Sequence, residues 1–297
     1  MIIKNGLVFT PEGTFEKKDL YIEGEYISNK TTDNKEVEAE GCYVIPGLVD
    51  IHFHGCVRHD MCDGTEESIQ ALADYEAANG VLAICPATMT IPEDQLMQAM
   101  KAAKEHKNGK GADLVGINME GPFVNKEKKG AQKEEDIKTA DVDFFHRMQE
   151  AARDSECFVE LICDGVHIHP SCVRATFEMF TDKRIVLISD SMMATGMDDG
   201  QYELGGQPVT VVGNLATLTE GGAIAGSATN LMDCMRTAVK KMNIPLESAV
   251  RCATLNPAKS IGIDDKYGSL EEGKYANAVV LDKDLNIVSI IQKGQVK

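Results

Sequence analysis

Short apolar runs alternate with longer amphipathic segments through the middle of the chain. The apolar runs, which are typical of buried strands, cover residues 48–55, 81–88, 113–122, 157–169 and 184–196. Helical periodicity occurs between and after them, at residues 66–80, 92–109, 141–155, 170–182, 228–242 and 245–262. Apolar strands that alternate with amphipathic helices indicate a parallel sheet covered by helices. The middle of the chain is therefore predicted to be an α/β core.

Polar side chains stand at the carboxyl end of nearly every predicted strand. They are His52, His54, Thr88, Glu120, Asp164, His167 and Asp190. In a barrel of alternating strands and helices, this end carries the active site. The pattern predicts a TIM-barrel-like core, but only about five of the eight strands that close such a barrel can be recognised in the sequence.

Both ends of the chain consist of short alternating runs that are typical of strands. The first residues, IIKNGLVFT and KKDLYIEGEYIS, contain Asn-Gly and Glu-Gly turn signals, and KYANAVVLDKDLNIVSIIQKGQVK near the other end has the same character. We predict a small β-sandwich domain built from residues 1–46 and 270–297. Residues 47–269 would form the barrel-like domain.

The composition restricts the classes of partner. The chain of 297 residues has a formal net charge of −17, which argues against a nucleic acid or an anionic membrane as partner but permits a small anionic substrate. No apolar run reaches the roughly 18 residues of a membrane span, and the first residues do not resemble a secretion signal. We expect a cytoplasmic protein, and its nine scattered cysteines are interpreted as buried apolar residues.

The segment GLVDIHFHG holds the first candidates for chemistry. Side chains alternate along a strand, so His52 and His54 face the same side and suit two ligands of one metal ion. A pair of histidines that only make hydrogen bonds at a strand end is the alternative. Asp50 is a candidate for a residue that orients one of the imidazoles.

Two acidic residues follow other predicted strands. Glu120, in NMEGP, is interpreted as a metal ligand, with a helix cap or a surface acid as the alternative. Asp190, in IVLISDS, is a candidate general base beside a metal-activated water, with a turn or helix cap as the alternative. One histidine of a second His-x-His pair, His167 and His169, could bind substrate, with a turn that exposes both histidines as the alternative. The glycine-rich stretch EGGAIAGS could hold an anion.

Seven segments carry a resemblance to a known family. They are PGLVDIHFHG (46–55), CPATMT (85–90), NMEGPFVNKEKKGA (118–131), CDGVHIHP (163–170), ISDSMMATG (188–196), IAGSATNL (224–231) and ATLNPAKSIG (253–262). In this order along the chain they resemble the N-acetylglucosamine-6-phosphate deacetylases of the amidohydrolase superfamily, over nearly the whole sequence.

The resemblance implies a role for each matching residue. His52, His54 and Glu120 would bind a divalent metal ion, which could be zinc, iron, manganese or cobalt, and Asp190 would be the catalytic acid–base. The implied reaction hydrolyses the acetamide of N-acetylglucosamine 6-phosphate to glucosamine 6-phosphate and acetate, and a homodimer is also implied. The residues expected to contact the amino-sugar phosphate are Ala131, His167, Ile224, Ala225, Gly226 and Ser227.

The sequence departs from the family pattern between two of these segments. Only 70 residues separate Glu120 from Asp190, and three strand–helix units that the family has in this interval are not recognised. Two of those units carry further metal-binding histidines. Two alternatives to the deacetylase therefore stay open: a shortened, inactive or weakly active family member that only binds a sugar phosphate, and a hydrolase of another small amide.

Overall fold

The computed structural model describes residues 1–120, 135 and 158–297. Ala131 and the helix predicted at residues 141–155 lie outside the described residues. The strands are β1 Ile2–Phe9, β2 Phe15–Glu23, β3 Tyr26–Ser28, β4 Glu36–Glu38, β5 Tyr43–Pro46, β6 Leu48–Asp50, β7 Gly55–Cys56, β8 His59–Asp60, β9 Val81–Ile84, β10 Ala87–Thr88, β11 Asp113–Leu114, β12 Asn118–Met119, β13 Val159–Ile162, β14 Ile185–Ile188, β15 Gly200–Leu204, β16 Gln207–Val212, β17 Leu215–Leu218, β18 Ala278–Leu281, β19 Ile287–Gln292 and β20 Gln295–Val296. The helices are α1 Glu66–Ala78, α2 Glu93–Glu105, α3 Pro170–Phe180, α4 Leu231–Met242, α5 Leu246–Ala253 and α6 Leu255–Ser260.

The two ends of the chain combine in one mixed sheet of eight strands. Its order is β20-β19-β18-β5-β1-β2-β3, and β4 pairs with β1. Strand β5 lies parallel to β1 and antiparallel to β18, so the sheet joins the beginning of the chain to its end. Ile3, Val44 and Val280 from three of these strands are fully buried in one apolar cluster. The sandwich arrangement and the domain boundaries at residues 46 and 270 stay predictions.

The middle of the chain is an α/β core, as the hydrophobic pattern predicts. Strands β6, β9 and β11 form one parallel sheet, β13 pairs in parallel with β14, and β10 pairs in parallel with β12. Each of the five predicted apolar runs contains at least one of these strands. Leu48, Ile84 and Leu187 are fully buried against the helices, because parallel strands are covered on both faces. How many strands close the barrel stays a prediction.

Two of the longer helices begin at a residue whose side chain caps the first turn. The side chains of Thr65 and Asn230 accept the backbone N–H of Ser68 and Asp233, at the first turns of α1 and α4. The single helix predicted at residues 245–262 is wrong, since the chain leaves helical geometry at Thr254 (φ −131°, ψ −79°) and continues as α6. Pro257 lies in the first turn of α6, where its missing N–H would have no partner within the helix.

An antiparallel meander of β15, β16 and β17 is absent from the prediction. The register pairs Tyr202 with Val209 and Val211 with Ala216. Its signal in the sequence is the alternation in QYELGGQPVTVVGNLATL, with Gly-Gly and Gly-Asn as turns. The buried face of the meander packs against Met192, two residues after Asp190.

Among residues 1–120 and 158–297, no helix is long and apolar enough to span a membrane.

A carboxyl group lies in the core between α1 and the sheet. Glu76 of α1 is fully buried, and neither of its oxygens has a hydrogen-bond partner in the described part of the chain. Burial, together with the nearby charge of Asp50, raises the pKa of Glu76 well above 4.5. Glu76 is therefore neutral in the folded protein over a pH range in which the unfolded chain is ionised.

Replacement of Glu76 is expected to change how stability depends on pH. Above pH 4.5 the folded chain holds a proton that the unfolded chain releases, so stability falls as the pH rises, by up to about 1.4 kcal/mol per pH unit. Glu76→Gln cannot ionise, and we expect it to be more stable than the wild type at pH 8 and close to it at pH 5. Urea unfolding at the two pH values measures this difference.

The matched control is Glu67→Gln, because Glu67 is an exposed carboxyl on the same helix. It is expected to leave the difference between pH 5 and pH 8 unchanged. A Glu76→Gln protein that loses as much stability as the wild type between these pH values would contradict the assignment.

Candidate active site

His52 and His54 extend from the end of β6 and point to one place. Their rings are 5.7 Å apart between centroids, and both Nε2 atoms face the same carboxylates. The imidazole of His54 is 3% exposed and that of His52 is 19% exposed. The N–H of His54 donates to the Ser191 carbonyl at 2.7 Å. The structure thus brings the pair together, although the strand ends at Asp50 and both histidines follow it.

Glu120 and Asp190 complete this cluster from two other strand ends. Glu120 Oε2 lies 3.3 Å from Nε2 of His52 and 3.2 Å from Nε2 of His54. Asp190 Oδ1 lies 3.3 Å from Nε2 of His54 and 3.9 Å from Nε2 of His52. All four residues predicted for metal binding and catalysis therefore meet in one place.

The charges of the cluster depend on one another. Burial alone would lower the pKa of both imidazoles, but the carboxylates outweigh it and raise the pKa of His52 to about 9 and that of His54 to about 10. Burial would conversely raise the pKa of Glu120, and hydrogen bonds from the two histidines hold it well below 4.5. The site is therefore built to hold positive charge between its carboxylates.

The donor atoms fit a divalent metal ion. One ligand atom each from His52, His54 and Glu120 lie within 4.8 Å of one another. Two imidazole nitrogens and a carboxylate oxygen are a donor set that zinc, iron, manganese and cobalt accept. The chemistry of these residues is thus compatible with the metal site that the sequence predicts.

Asp190 is held by its backbone on two sides. Its N–H donates to the His52 carbonyl at 3.0 Å, and its own carbonyl accepts from the N–H of Ser227 at 2.8 Å. Its φ of 49° lies in the left-handed region, which aspartate tolerates better than most residues. These bonds fix where the carboxylate stands relative to the two histidines.

His167 forms a pair with the carboxylate of Asp164. Nδ1 of His167 lies 2.8 Å from Asp164 Oδ2, and Asp164 Oδ1 accepts the backbone N–H of His167 at 3.0 Å. The hydrogen bond to Asp164 raises the pKa of His167 above 6.5. Because Nδ1 is occupied by this bond, Nε2 is the nitrogen that can meet a ligand.

His169 makes a different contact: it is exposed, and its ring accepts the N–H of Ser171 at the start of α3.

The segment at residues 224–227 lies beside Asp190. Ile224 is 42% exposed, whereas Ala225 and Ser227 are buried. The hydroxyl of Ser227 accepts the backbone N–H of Thr229 at 3.0 Å, so it is engaged within the chain. A Cβ at Gly226 (φ 65°) would lie 3.4 Å from the Asp190 carbonyl oxygen. The structure thus leaves Ile224 and the backbone of Gly226 as the accessible parts of this segment.

Sequence reasoning missed one acidic residue that reaches the site. Glu160, in the middle of β13, places Oε2 3.0 Å from Nδ1 of His52. The signal in the sequence is a glutamate within the apolar run CFVELIC.

Asp50 does not orient an imidazole, so the expectation from the sequence is wrong. Its carboxylate instead accepts the backbone N–H of His52 and the hydroxyl of Ser189.

Comparison with known proteins places this site in a family. The profile of the amidohydrolase family matches residues 63–297, a region that begins after the His-x-His pair and includes Glu120 and Asp190. The chain belongs to the amidohydrolase family.

Similar proteins include deacetylases of two amino-sugar phosphates. An N-acetylglucosamine-6-phosphate deacetylase of Vibrio furnissii is 29% identical over 329 residues, which cover 85% of this chain and 82% of the relative. An N-acetylgalactosamine-6-phosphate deacetylase of Escherichia coli O157:H7 is 26% identical over 372 residues, which cover 99% of this chain and 98% of the relative. Both alignments are longer than the 297 residues of this chain, so the relatives contain residues that have no counterpart here.

The fold is shared with solved structures. The crystal structure of N-acetylglucosamine-6-phosphate deacetylase from Pasteurella multocida superimposes with a TM-score of 0.89 at 20% sequence identity. The alignment covers 100% of this chain and 99% of that chain. The likeness supports the amidohydrolase fold.

Removal of the His-x-His pair is expected to abolish binding of a divalent metal ion. The double variant His52→Ala/His54→Ala loses both nitrogen ligands and keeps the strand. We expect its affinity for Zn²⁺ or Co²⁺ in equilibrium dialysis to fall at least about 100-fold, since two of the three ligands are gone. His169→Asn is the control, because it removes an exposed imidazole and keeps a side chain that can cap α3. Equal affinity in the double variant and the control would contradict the site.

Proposed function

We propose that the chain is a metal-dependent deacetylase of an N-acetylated amino-sugar 6-phosphate, and that N-acetylglucosamine 6-phosphate is its substrate in amino-sugar catabolism. The observation that carries the proposal is the convergence of His52, His54, Glu120 and Asp190 at the ends of separate strands. The relatives named for this reaction support the choice of substrate.

Three residues would bind the metal ion. His52, His54 and Glu120 would hold a divalent ion, which when bound supplies a Lewis acid for the amide carbonyl and lowers the pKa of water. Catalytic zinc sites commonly have three protein ligands, so this set matches their number without the additional histidines of the family pattern. Zinc, iron, manganese and cobalt all suit these ligands.

Asp190 would act as the general base and then as the general acid. Its carboxylate faces the same volume as the two Nε2 atoms, at 3.3 Å and 3.9 Å. It can accept a proton from the attacking water and return it to the amine as the amide bond breaks. The backbone bonds that hold Asp190 keep its carboxylate in this position.

Residues around the cluster would bind the sugar phosphate. His167 presents Nε2, while Ile224 and Gly226 border Asp190, and Ala225 and Ser227 contribute through the backbone and by packing. Ala131 completes the set proposed from the resemblance. We also propose a homodimer and a cytoplasmic location, which rest on the resemblance and on the catabolic substrate.

Acetate release tests the proposed reaction directly. The purified protein supplied in turn with Zn²⁺, Fe²⁺, Mn²⁺ or Co²⁺ is expected to release acetate from N-acetylglucosamine 6-phosphate. Asp190→Asn should reduce kcat by roughly 100-fold or more, because general acid–base groups commonly contribute 10²–10⁴-fold. N-acetylgalactosamine 6-phosphate, assayed in parallel, separates the two sugar specificities.

A protein that shows no turnover would also distinguish between the possible functions. A protein that binds the sugar phosphate but releases no acetate with any of the four metals would reject the deacetylase in favour of a binding protein. Acetate release at the same rate from Asp190→Asn would reject the role of Asp190. His169→Asn again serves as the control.

A further inference from the structure

His52 has a carboxylate partner on the side of the ring that faces away from Glu120. Glu160 Oε2 lies 3.0 Å from Nδ1, whereas Glu120 Oε2 lies 3.3 Å from Nε2. Glu160 belongs to β13, whose register against β14 pairs it with Val186. The imidazole of His52 thus stands between carboxylates from two different strands.

The contact with Glu160 places a proton on Nδ1 of His52. A carboxylate accepts a hydrogen bond, so Nδ1 must donate. Asn118 Nδ2, which can only donate, lies 3.4 Å from the same nitrogen, but it donates to the Ile51 carbonyl at 3.0 Å and the contact with Glu160 is the shorter of the two contacts of Nδ1. When a divalent metal ion takes the place of the proton on Nε2, the lone pair of that nitrogen lies on the side where Glu120 and Asp190 stand.

His54 shows why His52 needs such a partner. The side chain of His54 is 3% exposed, and its Nδ1 is buried without a partner among the described residues. Packing holds its ring in place. His52 is 19% exposed, so packing restricts its ring less than that of His54 and the hydrogen bond to Glu160 can fix its orientation.

We propose that Glu160 is a positioning residue that holds His52 in the orientation and tautomer needed to bind a divalent metal ion. Histidine ligands commonly donate their second ring N–H to a carboxylate, which raises the basicity of the ligating nitrogen. Glu160 acts through His52 and is not itself a ligand, because its carboxylate meets Nδ1 and lies outside the cluster of His52, His54 and Glu120. The inference rests on the metal site of the proposed function.

Metal affinity measures this role without an assay of activity. Glu160→Gln keeps a carbonyl oxygen that can accept from Nδ1 but loses the charge, and Glu160→Leu removes the acceptor. We expect the dissociation constant for Co²⁺ or Zn²⁺, measured by competition with a chelator, to increase about 10- to 100-fold in Glu160→Leu. Glu160→Gln should lie between this variant and the wild type. Glu178→Leu, at an exposed glutamate of α3, is the matched control.

The tautomer of His52 is the measurement that a purely structural residue would not change. In the metal-loaded wild type, ¹⁵N NMR of the imidazoles should show Nδ1 of His52 protonated and Nε2 bound to metal. Glu160→Leu should lose the hydrogen-bonded Nδ1 proton signal, while the urea midpoint of the metal-free protein stays close to that of the wild type.

The outcomes separate the two proposals. Wild-type protein that binds no divalent metal would overturn both the metal site and the role of Glu160. Wild-type affinity in Glu160→Leu and Glu160→Gln would overturn the role of Glu160 alone. A weaker affinity matched by an equal loss of stability in the metal-free protein would also overturn it, because Glu160 would then only support the fold.

Discussion

The arrangement of the site depends on the need to offset the desolvation of two adjacent imidazoles. His54 is almost completely buried, and burial by itself disfavours a charge on either histidine. Carboxylates can compensate only if they approach within hydrogen-bond distance, as Glu120 and Asp190 do. These two residues follow different strands of the parallel core, so the fold must bring the carboxyl ends of several strands to one place.

Backbone hydrogen bonds connect these strand ends directly. The backbone N–H of Asp190 donates to the His52 carbonyl, and the Asp190 carbonyl accepts the N–H of Ser227. Main-chain hydrogen bonds thus connect residues from three parts of the chain. The turn between β7 and β8 adds to it, since the N–H groups of Val57 and Arg58 donate to the carbonyls of Thr195 and Met193. Both turn residues have positive φ, an arrangement that costs conformational energy and is maintained by these contacts.

The sequence predicts the part of the site that depends on local periodicity. Alternation in the apolar run GLVDIHFHG predicts that His52 and His54 face one side, although β6 itself ends at Asp50, and the rule for strand ends finds Glu120 and Asp190. Glu160 escaped this reasoning because its contact with His52 joins residues 108 apart. A glutamate within an apolar run is unusual, but the run does not indicate which residue the glutamate meets. The same limit applies to the fold: the α/β core follows from hydrophobic runs, whereas the meander needed its turn signals to be recognised.

The balance of charge in the site has a consequence for an anionic substrate. Glu120, Asp190 and Glu160 bring three carboxyl groups around two imidazoles. Without a metal ion, the raised pKa values of His52 and His54 favour two positive charges among these carboxyl groups. A divalent cation in place of the two protons would carry the same charge, so the overall charge of −17 would oppose an anion in either state. The raised pKa of His167 favours a further positive charge at the edge of the site, and this residue is therefore the part of the site that favours the anionic group of the proposed substrate.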